Sequence, residues 1–113
     1  MMEFQKKYSF EERKSEAQKI LQKFPDRLPV IVSTDPKEFQ LDKHKYLVPR
    51  DLTVGQFIYV LRHRIKLDSA KSIFIFCRKS LPPTSSNIAD IYDRNVDNDG
   101  FLYFEVRGEN TFG

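Results

Sequence analysis

Three stretches decide the fold: residues 28–33 (LPVIVS), 45–49 (KYLVP) and 53–66 (TVGQFIYVLRHRIK). The first is short and β-branched, and it is bounded by Pro25 and by Asp35-Pro36, which predicts a strand. Alternation puts Leu28, Val30 and Val32 on one face, and Pro29 and Ile31 on the other. Both faces are apolar, so each needs a cover. In the second stretch Lys45 and Leu47 share a face opposite Tyr46 and Val48, and the closing Pro49 suits an edge strand. The third opens with Thr53 and Gln56 as a capping box. Phe57, Ile58, Leu61 and Ile65 lie 3, 4, 7 and 11 positions after Val54, which predicts a helix with one core-facing stripe. Arg62, His63, Arg64 and Lys66 gather in its last turns, where cations favour the helix dipole.

Working upstream, Ser9 and Glu12 form a second capping box, so a helix opens at Phe10. Ala17, Ile20, Leu21 and Phe24 follow at helical spacing until Pro25 stops it. Residues 2–8, with Phe4 and Tyr8, read as a short helix of their own. Downstream, residues 72–77 (SIFIFC) read as a fully buried strand, and 79–86, with Pro82-Pro83, as a loop. Asn87 and Asp90 cap a helix running to about Arg94, with Ile88, Ile91 and Tyr92 facing inward. Residues 97–100 form a turn, 101–107 (FLYFEVR) the last strand, and 108–113 a tail that is polar except for Phe112. From Leu28 onward the order β-β-α-β-α-β is that of a β-grasp, or ubiquitin-like, α+β fold. A mixed four-stranded sheet should wrap helix 53–66, preceded by two N-terminal helices. The expected organisation is one domain over 1–113: a helical extension (1–25), a ubiquitin-like core (26–107) and a C-terminal tail (108–113). The extension must cover the second face of the sheet, which accounts for apolar Pro29, Ile31 and Leu47.

At 113 residues there is room for one core and not for two. With 40% hydrophobic and 31% charged residues the chain is neither disordered nor fibrous. The lone Cys77 cannot form an internal disulfide, which suits a reducing compartment. No apolar run approaches the ~20 residues that span a bilayer, and residues 1–7 lack the apolar centre of a secretory signal. A soluble cytoplasmic domain is expected. Through Lys66 there are 14 Lys/Arg against 9 Asp/Glu, and afterwards 5 against 7. A basic half can attract nucleic acid, anionic lipid or an acidic peptide, and a solvated surface of uneven sign is the plainer account. Nucleic acid is the least favoured partner, because aromatic residues are not interleaved with the basic ones as in a stacking platform.

Enzymatic signatures are missing. His44 and His63 sit in Lys/Arg-rich stretches without a second ligand type at metal spacing. Cys77 ends an apolar strand and reads as a small buried hydrophobe. Asn95-x-Asp97-x-Asp99-Gly100 imitates the first half of a calcium loop, but Val106 stands where the bidentate glutamate belongs. A polar turn is the simpler account. No glycine-rich phosphate loop and no Ser/His/Asp constellation can be assembled, so no catalytic residues and no cofactor are expected. The ending Thr111-Phe112-Gly113 is the remaining feature. A terminal glycine passes a narrow channel, and its carboxylate can be adenylated, moved to a cysteine as a thioester, then given to an amine. On composition alone a frayed end is the favoured account.

Residues 24–32 (FPDRLPVIV), 45–49 (KYLVP), 51–57 (DLTVGQF), 81–84 (LPPT), 99–103 (DGFLY) and 111–113 (TFG) resemble the autophagy ubiquitin-like modifiers. These are the GABARAP and microtubule-associated light-chain-three proteins, and the likeness covers nearly the whole chain in order. It implies an amide bond from Gly113 to phosphatidylethanolamine, with Phe112 as a protease and tail-recognition residue. It implies as partners a processing and delipidating cysteine protease, activating and conjugating enzymes, and the autophagosome membrane through the lipid anchor. It further implies the vacuole or lysosome as a destination, and a monomer when unlipidated. Cargo receptors of this family carry an aromatic-x-x-aliphatic peptide flanked by acids. An edge strand at 45–48 explains how such a peptide adds as a strand, with alternate side chains entering pockets. By resemblance Glu16, Ile20, Pro29, Ile31, Lys45, Leu47 and Phe101 form the aromatic pocket. Tyr46, Val48, Pro49, Leu52, Phe57, Val60 and Leu61 form the aliphatic one, while Arg27, Lys43, Lys45 and Arg64 meet flanking acids. For Phe57 and Leu61 core packing is the first duty. The segment 35–42 is about two residues shorter than in GABARAP members, and Val60 replaces their leucine. A sulphur carrier of the same fold would end in Gly-Gly, whereas Phe112 precedes Gly113 here.

Overall fold

The computed structural model describes residues 2–65 and 72–108. The described elements are α1 (Glu3–Lys7), α2 (Phe10–Lys23), β1 (Arg27–Thr34), β2 (Lys45–Pro49), α3 (Val54–Ile65), β3 (Ile73–Phe76), α4 (Ile88–Asn95) and β4 (Leu102–Gly108). The sheet order is β2-β1-β4-β3. β1 runs antiparallel to β2 and parallel to β4, and β4 runs antiparallel to β3. This is the mixed ubiquitin-like sheet expected from the sequence, with two helices in front of it.

Both capping boxes form. Glu12 N donates to Ser9 Oγ at 3.1 Å while Ser9 N donates to Glu12 Oε1 at 3.0 Å. Thr53 and Gln56 exchange the same pair of bonds at 2.9 and 3.1 Å. At the start of α4, Asn87 holds the cap position, but its side chain makes no capping bond. α1 has five residues, too few to hold itself in water. It is kept in place by Phe4, whose ring meets Phe101 edge-on at 5.0 Å.

The sheet has two unequal apolar sides. Toward α3 and α4, Leu28, Val30, Val32, Tyr46, Val48, Phe57, Leu61, Ile75, Leu102 and Phe104 share one continuous core. Toward α2, only Ala17, Ile31 and Phe101 are buried together, flanked by Phe4, Ile20 and Tyr103. The alternation read along β1 is thus realised residue by residue. Two expectations need correction. β3 is not fully buried: it is an edge strand, and Phe74 and Phe76 are half-exposed on alternate positions. Gly108, read as the first tail residue, is buried and still paired, opposite Ile73. Phe112 and Gly113 lie outside the described residues, as does Lys66.

Candidate functional site

The site is assembled around the free side of β2. Val32 donates its N–H to the His44 carbonyl at 2.8 Å, and Arg50 donates to the Asp26 carbonyl at 3.2 Å. Even-numbered residues of β1 therefore make the hydrogen-bonded pairs with β2. By the antiparallel alternation, Lys45 and Leu47 turn their N–H and C=O groups outward, away from the sheet. No described strand lies beyond β2. An extended peptide finds two outward donors and two outward acceptors there.

One of those acceptors is already engaged. Arg27 Nη1 donates to the Leu47 carbonyl at 3.1 Å. Arg27, assigned from the resemblance to flanking acids, thus also covers the border that an added strand would use. Lys45 is engaged as well, in an ion pair and hydrogen bond with Glu16 of α2. This pair ties α2 to β2.

Side chains alternate onto the two sides of β2. On the α2 side, Ile20 and Leu47 are half-buried, Pro29, Ile31 and Phe101 are buried and offer almost no surface, and Glu16 and Lys45 pair with each other. On the α3 side, Tyr46, Val48, Phe57 and Leu61 belong to the main core and offer almost no surface. Pro49 and Leu52 are half-buried there, and Val60 is 41% exposed. The structure thus groups the predicted residues into two sets, one on each side of a single strand. Lys43 lies with its Nζ 5.4 Å from the Tyr46 ring centre, and Arg64 is exposed at the end of α3. Burial raises the Tyr46 phenol; the Arg64 charge opposes this and Asp42 adds to it. The Tyr46 hydroxyl is buried without a hydrogen-bond partner, while its ring packs edge-on against Phe57 at 5.6 Å. An open groove of about 1180 Å³ runs between α1 and β1 and takes in Ile31 and Lys45, two of the residues expected in the aromatic pocket.

Residues that the sequence reading missed hold α2 in position. Asp99 is fully buried at the turn before β4. It accepts the Phe101 N–H at 2.8 Å and the Tyr103 hydroxyl, and it lies 3.3 Å from Arg13 Nη1 of α2. Burial pushes the Asp99 carboxyl above its ordinary range, against the lowering effect of the Tyr103 bond. Burial, then the Asp99 partner, pushes the Tyr103 phenol up as well. The neighbouring Gly100 has φ +91°, and a Cβ there would come 2.8 Å from the Ala17 Cβ. Glycine lets α2 sit directly on the turn. The lookalike calcium loop is therefore a packing device, and among the described residues no group of three or more His, Cys, Asp or Glu is placed to hold a metal. His44 and His63 are exposed, and Cys77 is buried with its thiol pushed up by that burial.

The family profile described as "Autophagy protein Atg8 ubiquitin like" matches residues 12–113. The chain belongs to the Atg8 family. It is 53% identical to autophagy-related protein 8 of Schizosaccharomyces pombe, over 98% of this chain and 93% of that protein. It is 52% identical to autophagy-related protein 8c of Arabidopsis thaliana, over 97% and 94%. Among solved structures, Trypanosoma brucei ATG8 superposes with a TM-score of 0.91 at 40% identity, covering 96% of each chain. Plasmodium falciparum Atg8, solved in complex with a Plasmodium falciparum Atg3 peptide, gives 0.85 at 30% identity, covering 95% of this chain and 96% of that one. As an Atg8 protein the chain is a ubiquitin-like modifier with a role in autophagy.

Proposed function

We propose that this Atg8 protein is conjugated through Gly113 to phosphatidylethanolamine on the autophagosome membrane, and that it captures cargo receptors by accepting an aromatic-x-x-aliphatic segment as a strand against β2. The observation that carries the capture reading is the outward-facing Lys45–Leu47 border, with half-buried Ile20 and Leu47 on the α2 side and the Pro49, Leu52 and Val60 surface on the other. Main-chain bonds to that border supply affinity, and the alternating side chains supply selection. The acids flanking such segments meet Lys43, Arg64 and a displaced Arg27. The Atg3 peptide on the Plasmodium relative supports a short segment as occupant, and a conjugating enzyme as one of its sources.

The membrane half of the proposal is chemical. No helix of the described residues is long and apolar enough to cross a membrane. A phosphatidylethanolamine adduct brings two acyl chains, and at about 0.8 kcal/mol per buried CH₂ two chains give stable anchoring where one gives marginal binding. Activating and conjugating enzymes would form the amide, and a cysteine protease that recognises Phe112 would expose or release Gly113. The unlipidated monomer would be cytoplasmic, and lipidated copies would reach the vacuole or lysosome with the membrane.

Two experiments separate this from a peptide-binding adaptor that is never conjugated. In a reaction with activating enzyme, conjugating enzyme, ATP and phosphatidylethanolamine liposomes, the wild-type chain should gain one lipid by intact mass, and Gly113→Ala should not. In cells, deleting Gly113 should abolish membrane puncta; puncta that persist on that deletion favour the plain adaptor.

A further inference from the structure

We propose that Glu38 and Phe39 form a clasp on Gly108, and that Glu38 is thereby a positioning residue for conjugation at Gly113. This rests on the conjugation reading above.

β1 ends at Thr34, opposite Val106 of β4. The chain then folds into a tight turn: the N–H groups of Glu38 and Phe39 both return to the Asp35 carbonyl at 2.9 Å. The Lys37 N–H donates to Asp35 Oδ1 at 2.9 Å, and the Thr34 hydroxyl donates to the Phe39 carbonyl at 3.4 Å. Past Val106, β1 has no carbonyl left for β4. Glu38 supplies the acceptor instead: its Oε1 takes the Gly108 N–H at 2.6 Å, across 70 positions of sequence. A carboxylate is a stronger acceptor than the strand carbonyl it replaces.

Phe39, 7% exposed, packs beside the Glu38 carboxylate against Gly108. A Cβ at position 108 would overlap Glu38 Oε1 and come 2.9 Å from the end of the Phe39 ring. A side chain there would push the Glu38 carboxylate or the Phe39 ring aside, while the backbone itself makes no demand for glycine, since no positive φ is involved. The last paired residue of β4 is therefore held by a segment that has no part in the β2 border.

Five positions separate Gly108 from Gly113. At about 3.3–3.6 Å per residue, the terminal carboxylate cannot lie more than roughly 18 Å from the clasp. On so short a leash, the orientation of Gly108 decides where the carboxylate can be offered. Releasing Gly108 adds conformations that must be lost again when an enzyme engages the tail, so the effect falls on encounter and not on chemistry.

The test uses the full chain in the reconstituted conjugation reaction, with Glu38→Ala, Glu38→Gln and Gly108→Ala. Glu38→Ala should raise KM for the chain about three- to tenfold with kcat within about twofold, the pattern expected of lost pre-organisation. Glu38→Gln keeps an acceptor oxygen at the same reach and should return KM to near wild type. Gly108→Ala should match or exceed Glu38→Ala. Deuterium exchange at the Gly108 amide, read without any enzyme, should accelerate in Glu38→Ala and not in Glu38→Gln. Receptor-peptide binding at β2 should stay unchanged in all three variants, which controls for folding. A wild-type chain conjugated normally alongside an indistinguishable Glu38→Ala removes this inference alone. So does a fall in kcat at constant KM, or a Gln variant that fails to rescue. A wild-type chain that gains no lipid removes the conjugation reading itself, while amide exchange still reports whether the clasp exists.

Discussion

The two sides of the sheet are built on different terms. Toward α3 the chain packs a deep apolar core in which Phe57, Leu61 and Phe104 are essentially inaccessible. Toward α2 the buried apolar cluster is small, Ala17, Ile31 and Phe101 beside Pro29, and polar contacts add to the holding: Arg13–Asp99–Tyr103 at one end and Glu16–Lys45 near β2. An apolar core is close-packed and resists insertion. A thin core pinned by directional contacts can open along one line without losing the rest. The α3 side therefore carries stability, while the α2 side of β2 is where the proposed receptor segment would place its aromatic ring.

The sharpest way to break this contrast is to truncate one large residue on each side. Phe57→Ala should lower unfolding free energy by about 3–5 kcal/mol, the usual range for a buried phenylalanine. In urea denaturation it should leave a chain with little folded population. Asp99→Ala should cost about 1–3 kcal/mol, because it strands the Phe101 N–H, the Tyr103 hydroxyl and the Arg13 charge together. If Asp99→Ala were neutral, the polar pin would be decoration and the α2 side would be held by its apolar residues alone.

Acidity sharpens the same point. Burial raises the Asp99 carboxyl in the folded chain above its unfolded value. A raised carboxyl binds its proton more tightly when folded, so its ionisation weighs against folding at neutral pH. That penalty is relieved as pH falls through the raised value toward the unfolded one, near 3.8. Comparing wild type with Asp99→Asn between pH 7 and pH 4, the stability difference should move in favour of wild type as pH falls. A shift in the opposite direction would mean that the Arg13 and Tyr103 contacts outweigh burial.

Smaller effects belong to the border itself. Leu47→Ala should weaken an aromatic-x-x-aliphatic peptide about tenfold or more by calorimetry, as expected for a residue lining a hot-spot pocket, with unfolding almost unchanged because Leu47 is only half-buried. Glu16→Gln, at a pair whose side chains are 34% and 45% exposed, should change stability by less than about 1 kcal/mol. Its visible effect should be a freer Lys45 and a modest change in peptide affinity.

Much of this was legible because local chemistry and tertiary role agreed. Ser9–Glu12 and Thr53–Gln56 announce their helices, and the alternation along 28–32 assigns each side chain to its face. Where they disagreed, the sequence was silent. In β3 the run Ile73-Phe74-Ile75-Phe76 is apolar at both parities, so periodicity cannot tell an edge strand from a central one. Asp99 stands among Asp97, Asn98 and Gly100, a setting that reads as solvated turn. Its burial comes from Arg13, 86 positions away, and no local signal marks it. Gly108 looked like the start of a tail because glycine so often ends a strand, and the Glu38 carboxylate that holds it comes from a distant loop. The β2 border was visible from Pro49, whereas the Arg27 guanidinium resting on Leu47 was not, since a long flexible cation declares no geometry in sequence.

That guanidinium has a consequence for copies of the chain at high density. Two bare strand borders that meet will zip together, and a protein that must keep one such border ready for use is at constant risk of self-adhesion. A tethered cation would serve as a removable guard: it occupies the exposed Leu47 carbonyl, would repel the identical guard on a neighbour, and would give way to the acid-flanked segment proposed as ligand.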